Sequence, residues 1–326
     1  MKFLKALQKN QSGSAANKGA ANGSAKKGET NGHELPEVLG HDLKIGGPNS
    51  LIRRAGVSAV NTETTDAVSE IVGTELGTVD GAAVRERRHF RELTVDPAAV
   101  NPHLVAITQS QSGYCEEYRS LRTHVLHKSQ EQHLQSIVIA SVGPGEGKSV
   151  TALNLAWLLA QTEGVHALVI DSDLRMPSLT KYLGIASEIG LSDVLDGTAT
   201  LDDAIIQLKP SGLCLLPGGH ARGDVAELIS GSNFKEILGE TGEMFDYVII
   251  DAPPLAIFTD AAVLINHADA ALLVVKANQT KYKDIDRVLN SLPRKRLLGT
   301  ILNQSEDSLM TDGYYGYSEY RKLLSD

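Results

Sequence analysis

Cysteine, tryptophan and long apolar runs are what this chain has least of. Its 326 residues include two cysteines, Cys115 and Cys214, and one tryptophan, Trp157. The cysteines share no C-x-x-C or other metal spacing, so both read as packing residues of a reducing compartment, and a disulfide-stapled fold is excluded. No stretch reaches the roughly 18–20 apolar residues that a membrane span needs. Met1–Gln8 is too short for a secretion signal and lacks its apolar core, so a cytoplasmic protein is expected. Ten histidines are scattered without H-E-x-x-H spacing. There is no G-x-S-x-G and no Ser/His/Asp set, which removes support for hydrolytic nucleophile chemistry. A net charge of −9 argues against bulk nucleic-acid binding.

The first third of the chain also lacks the means to fold alone. Met1–Gly32 is built from Gly, Ser, Ala and Asn with scattered lysines, which cannot bury enough apolar surface to offset chain entropy. Residues 33–84 carry no sustained apolar period. Arg85–Arg91 is a basic cluster best read as a solvated face. The expected division is a largely disordered region over 1–94, one folded domain over 95–310 and a tyrosine-rich tail over 311–326.

Within the domain, short apolar runs alternate with helix-like segments. Ser136–Ala140, Val165–Asp171, Leu213–Leu216, Phe245–Asp251, Ala270–Lys276 and Leu297–Asn303 read as buried strands. Val150–Gln161, Ala226–Leu238, Asp260–Ile265 and Asp284–Leu292 read as helices, and Leu201–Gln207 more weakly so. The alternation predicts an α/β fold: a doubly wound, mostly parallel sheet with helices on both faces and one or two further edge elements.

The chemistry gathers where these strands end. After Ser136–Ala140 comes Gly143-Pro144-Gly145-Glu146-Gly147-Lys148-Ser149-Val150, then a helix. A strand, a glycine-rich turn, Gly-Lys-Ser and a helix make the phosphate loop of P-loop NTPases, although Val142 stands where the full pattern has glycine. Backbone amides and the helix N-terminus would cradle phosphates, Lys148 would reach the β- and γ-phosphates, and Ser149 would help hold Mg²⁺. Asp171 and Asp173 follow one later strand and Asp251 follows another, so all three converge on the same sheet edge. Carboxylates there can hold a metal or deprotonate a hydroxyl. A lone Asp in such a place more often caps the next helix.

Together, Pro144–Ser149, Val169–Pro177 and Val248–Pro254 resemble the three nucleotide-binding motifs of the bacterial tyrosine kinases of capsule and exopolysaccharide export. The resemblance spans about residues 112–320. It implies ATP and Mg²⁺ as cofactors, with the metal on Ser149, Asp173 and Asp251. Lys148 would act on the γ-phosphoryl, and Asp171 would orient or deprotonate the acceptor, a role that Asp173 could exchange with it. Arg175 would steady the phosphates or the acidic loop, Asn303 would lie near the adenine, and Asp260 behind the metal. Glu116, Arg119 and Arg122 match the family's E-x-x-R-x-x-R signature for assembly into a ring-like homo-oligomer, although the same spacing suits a solvated helix with i,i+3 charge pairs. Tyr314, Tyr315, Tyr317 and Tyr320 match the family's autophosphorylated cluster; a packed aromatic tail is the alternative.

The resemblance also implies a transmembrane polysaccharide co-polymerase as activator, recruitment by it to the inner membrane face, and a cognate phosphotyrosine phosphatase. ParA/MinD-like positioning or segregation ATPases, which share the fold, are the competing class. They carry a signature lysine at the position of Gly143, which this chain lacks. A non-catalytic nucleotide-binding subunit is a third reading. It draws on Gly223-Asp224 standing where the family usually has Asn-Pro.

Overall fold

The computed structural model describes the backbone of residues 2–4 and the whole of residues 88–305. Nine strands form one sheet: β1 (Lys2–Leu4), β2 (Arg91–Thr94), β3 (Ser136–Ser141), β4 (Ala167–Asp171), β5 (Ile206–Lys209), β6 (Leu213–Leu216), β7 (Tyr247–Asp251), β8 (Ala270–Lys276) and β9 (Leu297–Asn303). Their order is β1-β9-β8-β3-β7-β4-β6-β5-β2. Only the β1–β9 and β5–β6 pairs are antiparallel. The central strands are buried along nearly their whole length, as expected of parallel strands covered on both faces.

Alternate residues of each strand enter two separate cores. Ile137, Ile139, Val169, Ile249, Leu272 and Val274 pack beneath α1 (Val105–Thr108), α2 (Gly113–Gln132) and α3 (Lys148–Ala160). Their neighbours Val138, Ala140, Leu168, Ile170, Val248, Ile250 and Leu273 face the opposite core. That second core is completed by residues of α5 (Leu191–Leu195), α6 (Leu201–Ala204), α7 (Val225–Ser230), α8 (Ser232–Met244), α9 (Asp260–His267) and α10 (Tyr282–Ser291), while the short α4 (Leu179–Leu183) belongs to the first. Trp157 is 3% exposed and both cysteines are buried, as packing residues should be.

Several elements differ from the sequence expectation. The weakly expected helix over Leu201–Gln207 stops at Ala204, and Ile206–Lys209 is a strand, because Ile206 and Leu208 alternate into the core against β6. The helix expected over Ala226–Leu238 is two helices broken at Gly231, whose backbone is extended (φ −68°, ψ 168°). Order begins before residue 95. β2 pairs in parallel with β5, Phe90 stacks on Phe245 with centroids 6.0 Å apart, and Lys2–Leu4 adds an edge strand beside β9. Residues 5–87 lie outside the described residues, as does the tail from 306 onward with Tyr314, Tyr315, Tyr317 and Tyr320. Among the described residues, no helix is long and apolar enough to cross a membrane.

Candidate active site

Register brings the acidic residues together. β4 and β7 are neighbours, and their last residues, Asp171 and Asp251, are direct partners in the parallel ladder. β3, on the other side of β7, runs into the phosphate loop at the same edge. In that loop Gly145 and Gly147 have φ of +71° and +95°, which glycine adopts without the penalty a side chain brings. α3 begins at Lys148, so its free N–H groups point into the turn.

The Lys148 ammonium is the hub. Its Nζ lies 2.9 Å from Asp173 Oδ2, 3.6 Å from Asp251 Oδ1 and 3.2 Å from the Ser149 hydroxyl. Burial would lower the pKa of this ammonium, but Asp251, Asp173 and Asp171 outweigh that effect and the net shift is upward. Asp251 is fully buried, and neither of its oxygens accepts a hydrogen bond. Desolvation raises its pKa, against the pull of Lys148 and Ser149. Asp171 is fully buried too, and desolvation together with the neighbouring Asp251 pushes its carboxyl up to about 7. Its Oδ2 accepts the backbone N–H groups of Ser178 and Leu179 at 2.8 and 2.9 Å, while Oδ1 has no partner. Asp171 thus caps the start of α4 with one oxygen and leaves the other facing no protein donor.

The donor set suits a small hard cation shared with phosphate. Among the described residues, no group of three or more His, Cys, Asp and Glu side chains could hold a metal by itself. Mg²⁺ seldom uses such a cage: one or two carboxylates, waters and substrate phosphates suffice. Ser149, Asp173 and the two unpartnered oxygens of Asp251 fit that habit.

The remaining expected site residues surround this centre. Arg175 is turned onto Asp260, with Nε 2.7 Å from Oδ2 and Nη2 3.4 Å from Oδ1. Its guanidinium carbon stands 4.6 Å from the centroid of the Phe258 ring, and Nη1 donates to the Gly223 carbonyl at 3.3 Å. Asn303 Nδ2 donates to the Glu146 carbonyl at 2.9 Å, fastening the end of β9 to the phosphate loop. A Cβ on Gly147 would come within 2.1 Å of that same nitrogen. Gly147→Ala is therefore expected to cost on the order of 1–3 kcal/mol, from backbone strain as well as this clash. A thermal unfolding temperature within a degree of wild type would contradict it.

Away from the centre, Glu116 and Arg119 on α2 bond each other, and Arg119 also donates to the Ser110 carbonyl at 2.7 Å. Arg122 reaches the Leu158 carbonyl at 3.4 Å, and its Nε is buried without a partner. Sequence reasoning missed one group at the phosphate loop: the Thr280 hydroxyl donates to the buried Glu146 carboxylate. The two are separated by 134 positions, and nothing in the sequence around Thr280 marks it.

A family model described as an AAA domain matches residues 134–298, about half of the chain. The chain is 34% identical over 217 residues to the tyrosine-protein kinase YwqD of Bacillus subtilis (strain 168), covering 66% of this chain and 91% of that relative. It is 32% identical over 210 residues to the tyrosine-protein kinase CpsD of Streptococcus agalactiae, covering 63% and 90% respectively. Among solved structures, the chimerical protein CapA2B2 is similar with a TM-score of 0.59 and 28% identity, over 65% of this chain and 92% of that one. The kinase domain of the Escherichia coli tyrosine kinase ETK gives a TM-score of 0.59 and 25% identity, over 65% and 84%.

Proposed function

This chain belongs to the bacterial tyrosine-protein kinase family, and from that premise we propose that it is an ATP-dependent tyrosine autokinase regulating exopolysaccharide or capsule polymerisation and export. Its acceptors are Tyr314, Tyr315, Tyr317 and Tyr320 of a neighbouring copy. The observation that carries the reading is the meeting of Lys148, Asp171, Asp173 and Asp251 at one sheet edge beside a phosphate loop, with one carboxyl held near neutrality.

The N–H groups of Gly143, of Gly145–Ser149 and of the first turn of α3 bind the phosphates of ATP, with Pro144 and Val150 shaping the turn. Lys148 exchanges its carboxylate partners for the γ-phosphoryl, whose charge grows during transfer. Ser149, Asp173 and Asp251 would hold Mg²⁺, which would supply positive charge against the phosphates. The phenol oxygen attacks the γ-phosphorus, the bond to the β–γ bridging oxygen breaks, and ADP leaves. Asp171 takes the phenol proton. A free phenol has a pKa of about 10, some three units above Asp171, so the proton moves as the new O–P bond forms rather than before it. Arg175, locked to Asp260, keeps the acidic loop in place, and Asn303 borders the adenine.

Glu116, Arg119 and Arg122 serve assembly into a ring-like homo-oligomer. Activation comes from a transmembrane co-polymerase, which also brings the chain to the inner membrane face, and a phosphotyrosine phosphatase resets it. The test is phosphotyrosine mapping by mass spectrometry after incubation with Mg²⁺ and ATP, with and without the activator's cytoplasmic segment. Phosphate is expected on Tyr314–Tyr320, absent when all four are phenylalanine, with specific activity rising with protein concentration. ATP turnover without phosphotyrosine would sink the kinase reading in favour of a ParA/MinD-like ATPase. Neither activity would leave a nucleotide-binding regulator.

A further inference from the structure

Glu146 is an unexpected residue to bury in an anion-binding loop. The residue is 6% exposed, and a fixed negative charge among phosphate-binding amides opposes the ligand unless it is turned away from them. Two bonds hold its carboxylate and a third holds its main chain. Oε2 accepts the backbone N–H of Val142 at 2.8 Å, closing the loop across its own base. Oε1 accepts the Thr280 hydroxyl, from the turn between β8 and α10. The Glu146 carbonyl accepts Asn303 Nδ2 at 2.9 Å, from the end of β9.

Thr280 is itself held in place. Its hydroxyl oxygen accepts the Lys276 N–H at 3.2 Å, and its own N–H donates to the Lys276 carbonyl at 3.2 Å. The turn that presents it passes through Asn278, at φ +59°. One hydroxyl therefore links a rigid turn after β8 to the acidic side chain of the phosphate loop. The Val142 bond bears on the missing first glycine of the motif: where the pattern has glycine, this chain has a buried valine whose amide is tied down by Glu146.

We propose that Thr280 is a positioning residue for nucleotide binding, holding the Glu146 carboxylate against the base of the phosphate loop and away from the phosphates. The proposal rests on nucleotide binding at this loop and is independent of which group accepts the phosphoryl. Without the hydroxyl, Oε1 loses its donor in a buried setting, the carboxylate is held by the Val142 N–H alone, and the loop loses its cross-brace.

The experiment is a double-mutant cycle read by Mg·ADP affinity on the full chain, with thermal unfolding of the nucleotide-free proteins alongside. Thr280→Val should weaken Mg·ADP binding roughly fivefold to tenfold. Thr280→Ser, which keeps the hydroxyl, should stay within about twofold of wild type. In a Glu146→Ala background, Thr280→Val should have no further effect on affinity. An equal loss in both backgrounds, a failure of serine to rescue, or unchanged affinity in Thr280→Val overturns the proposal. No Mg·ADP binding by the wild type overturns the nucleotide reading and this proposal with it.

Discussion

Lys148→Met is expected to lower phosphotyrosine formation by about 10³-fold or more, because it removes the preorganised cation that meets charge developing on the transferring phosphoryl. A second effect sets this variant apart from an ordinary active-site knockout. Without nucleotide, Lys148 is the cation 2.9 Å from Asp173 and 3.6 Å from Asp251. Taking one member from a buried charge cluster leaves uncompensated carboxylates, a loss that reaches about 3–5 kcal/mol in fully buried pairs. Here the acids can relieve part of it by taking up protons, so roughly 2–3 kcal/mol is expected at neutral pH. Millimolar Mg²⁺ should restore much of that stability by supplying the missing charge, yet restore no activity. Thermal unfolding with and without Mg²⁺, beside a phosphotyrosine assay, reads both effects. A variant as stable as wild type in the absence of Mg²⁺ would show that Lys148 does not balance the acidic cluster.

Much of this site was legible because its residues sit at the ends of recognisable runs. The runs that became β3, β4 and β7 are short, apolar and ended by a glycine-rich turn or an Asp, and parallel topology then forces their carboxyl ends to one edge. The sequence could not show that Asp171 and Asp251 are paired in register, a pairing that adds to burial in raising the Asp171 carboxyl to about 7. It also could not show that Asp171 divides its oxygens, one capping α4 and one left without a protein donor, so the capping reading of a strand-ending Asp does not exclude the chemical one. Arg175 was read as steadying either the phosphates or the acidic loop; its bond to Asp260 joins two loops distant in sequence, which no local pattern shows. Ile206–Lys209 was misread since four residues that alternate in burial are too few to separate a strand from a fraying helix. Thr280 was invisible for the simplest reason: its partner is a tertiary neighbour, and no local pattern encodes that.

Asp171→Asn should produce an inactive protein that is more stable than the original. The amide keeps an oxygen for the Ser178 and Leu179 N–H groups, so the cap on α4 survives. The ionisable group does not survive, and in the folded chain its pKa is raised to about 7 by burial and by Asp251. An unfolded aspartate titrates near about 4, so between these values the folded state binds more protons than the unfolded one. Stability contributed by this group is therefore largest at low pH, falls as pH rises through that window, and stays reduced above about 7. The variant carries no such loss. It should match wild type near pH 4 and exceed it by roughly 1–3 kcal/mol at pH 8 without nucleotide, a range discounted for relaxation of the coupled Asp251. Kinase activity should fall about 10²- to 10⁴-fold, the usual worth of a placed general base. Wild-type turnover should also rise with pH as Asp171 ionises, a limb absent from whatever activity the variant retains. Unfolding temperatures and pH–rate profiles of both proteins decide it. A stability difference that does not change with pH would mean the Asp171 carboxyl is not the titrating group. A retained pH limb in Asp171→Asn would move the base to Asp173, whose carboxylate lies 2.9 Å from Lys148 Nζ.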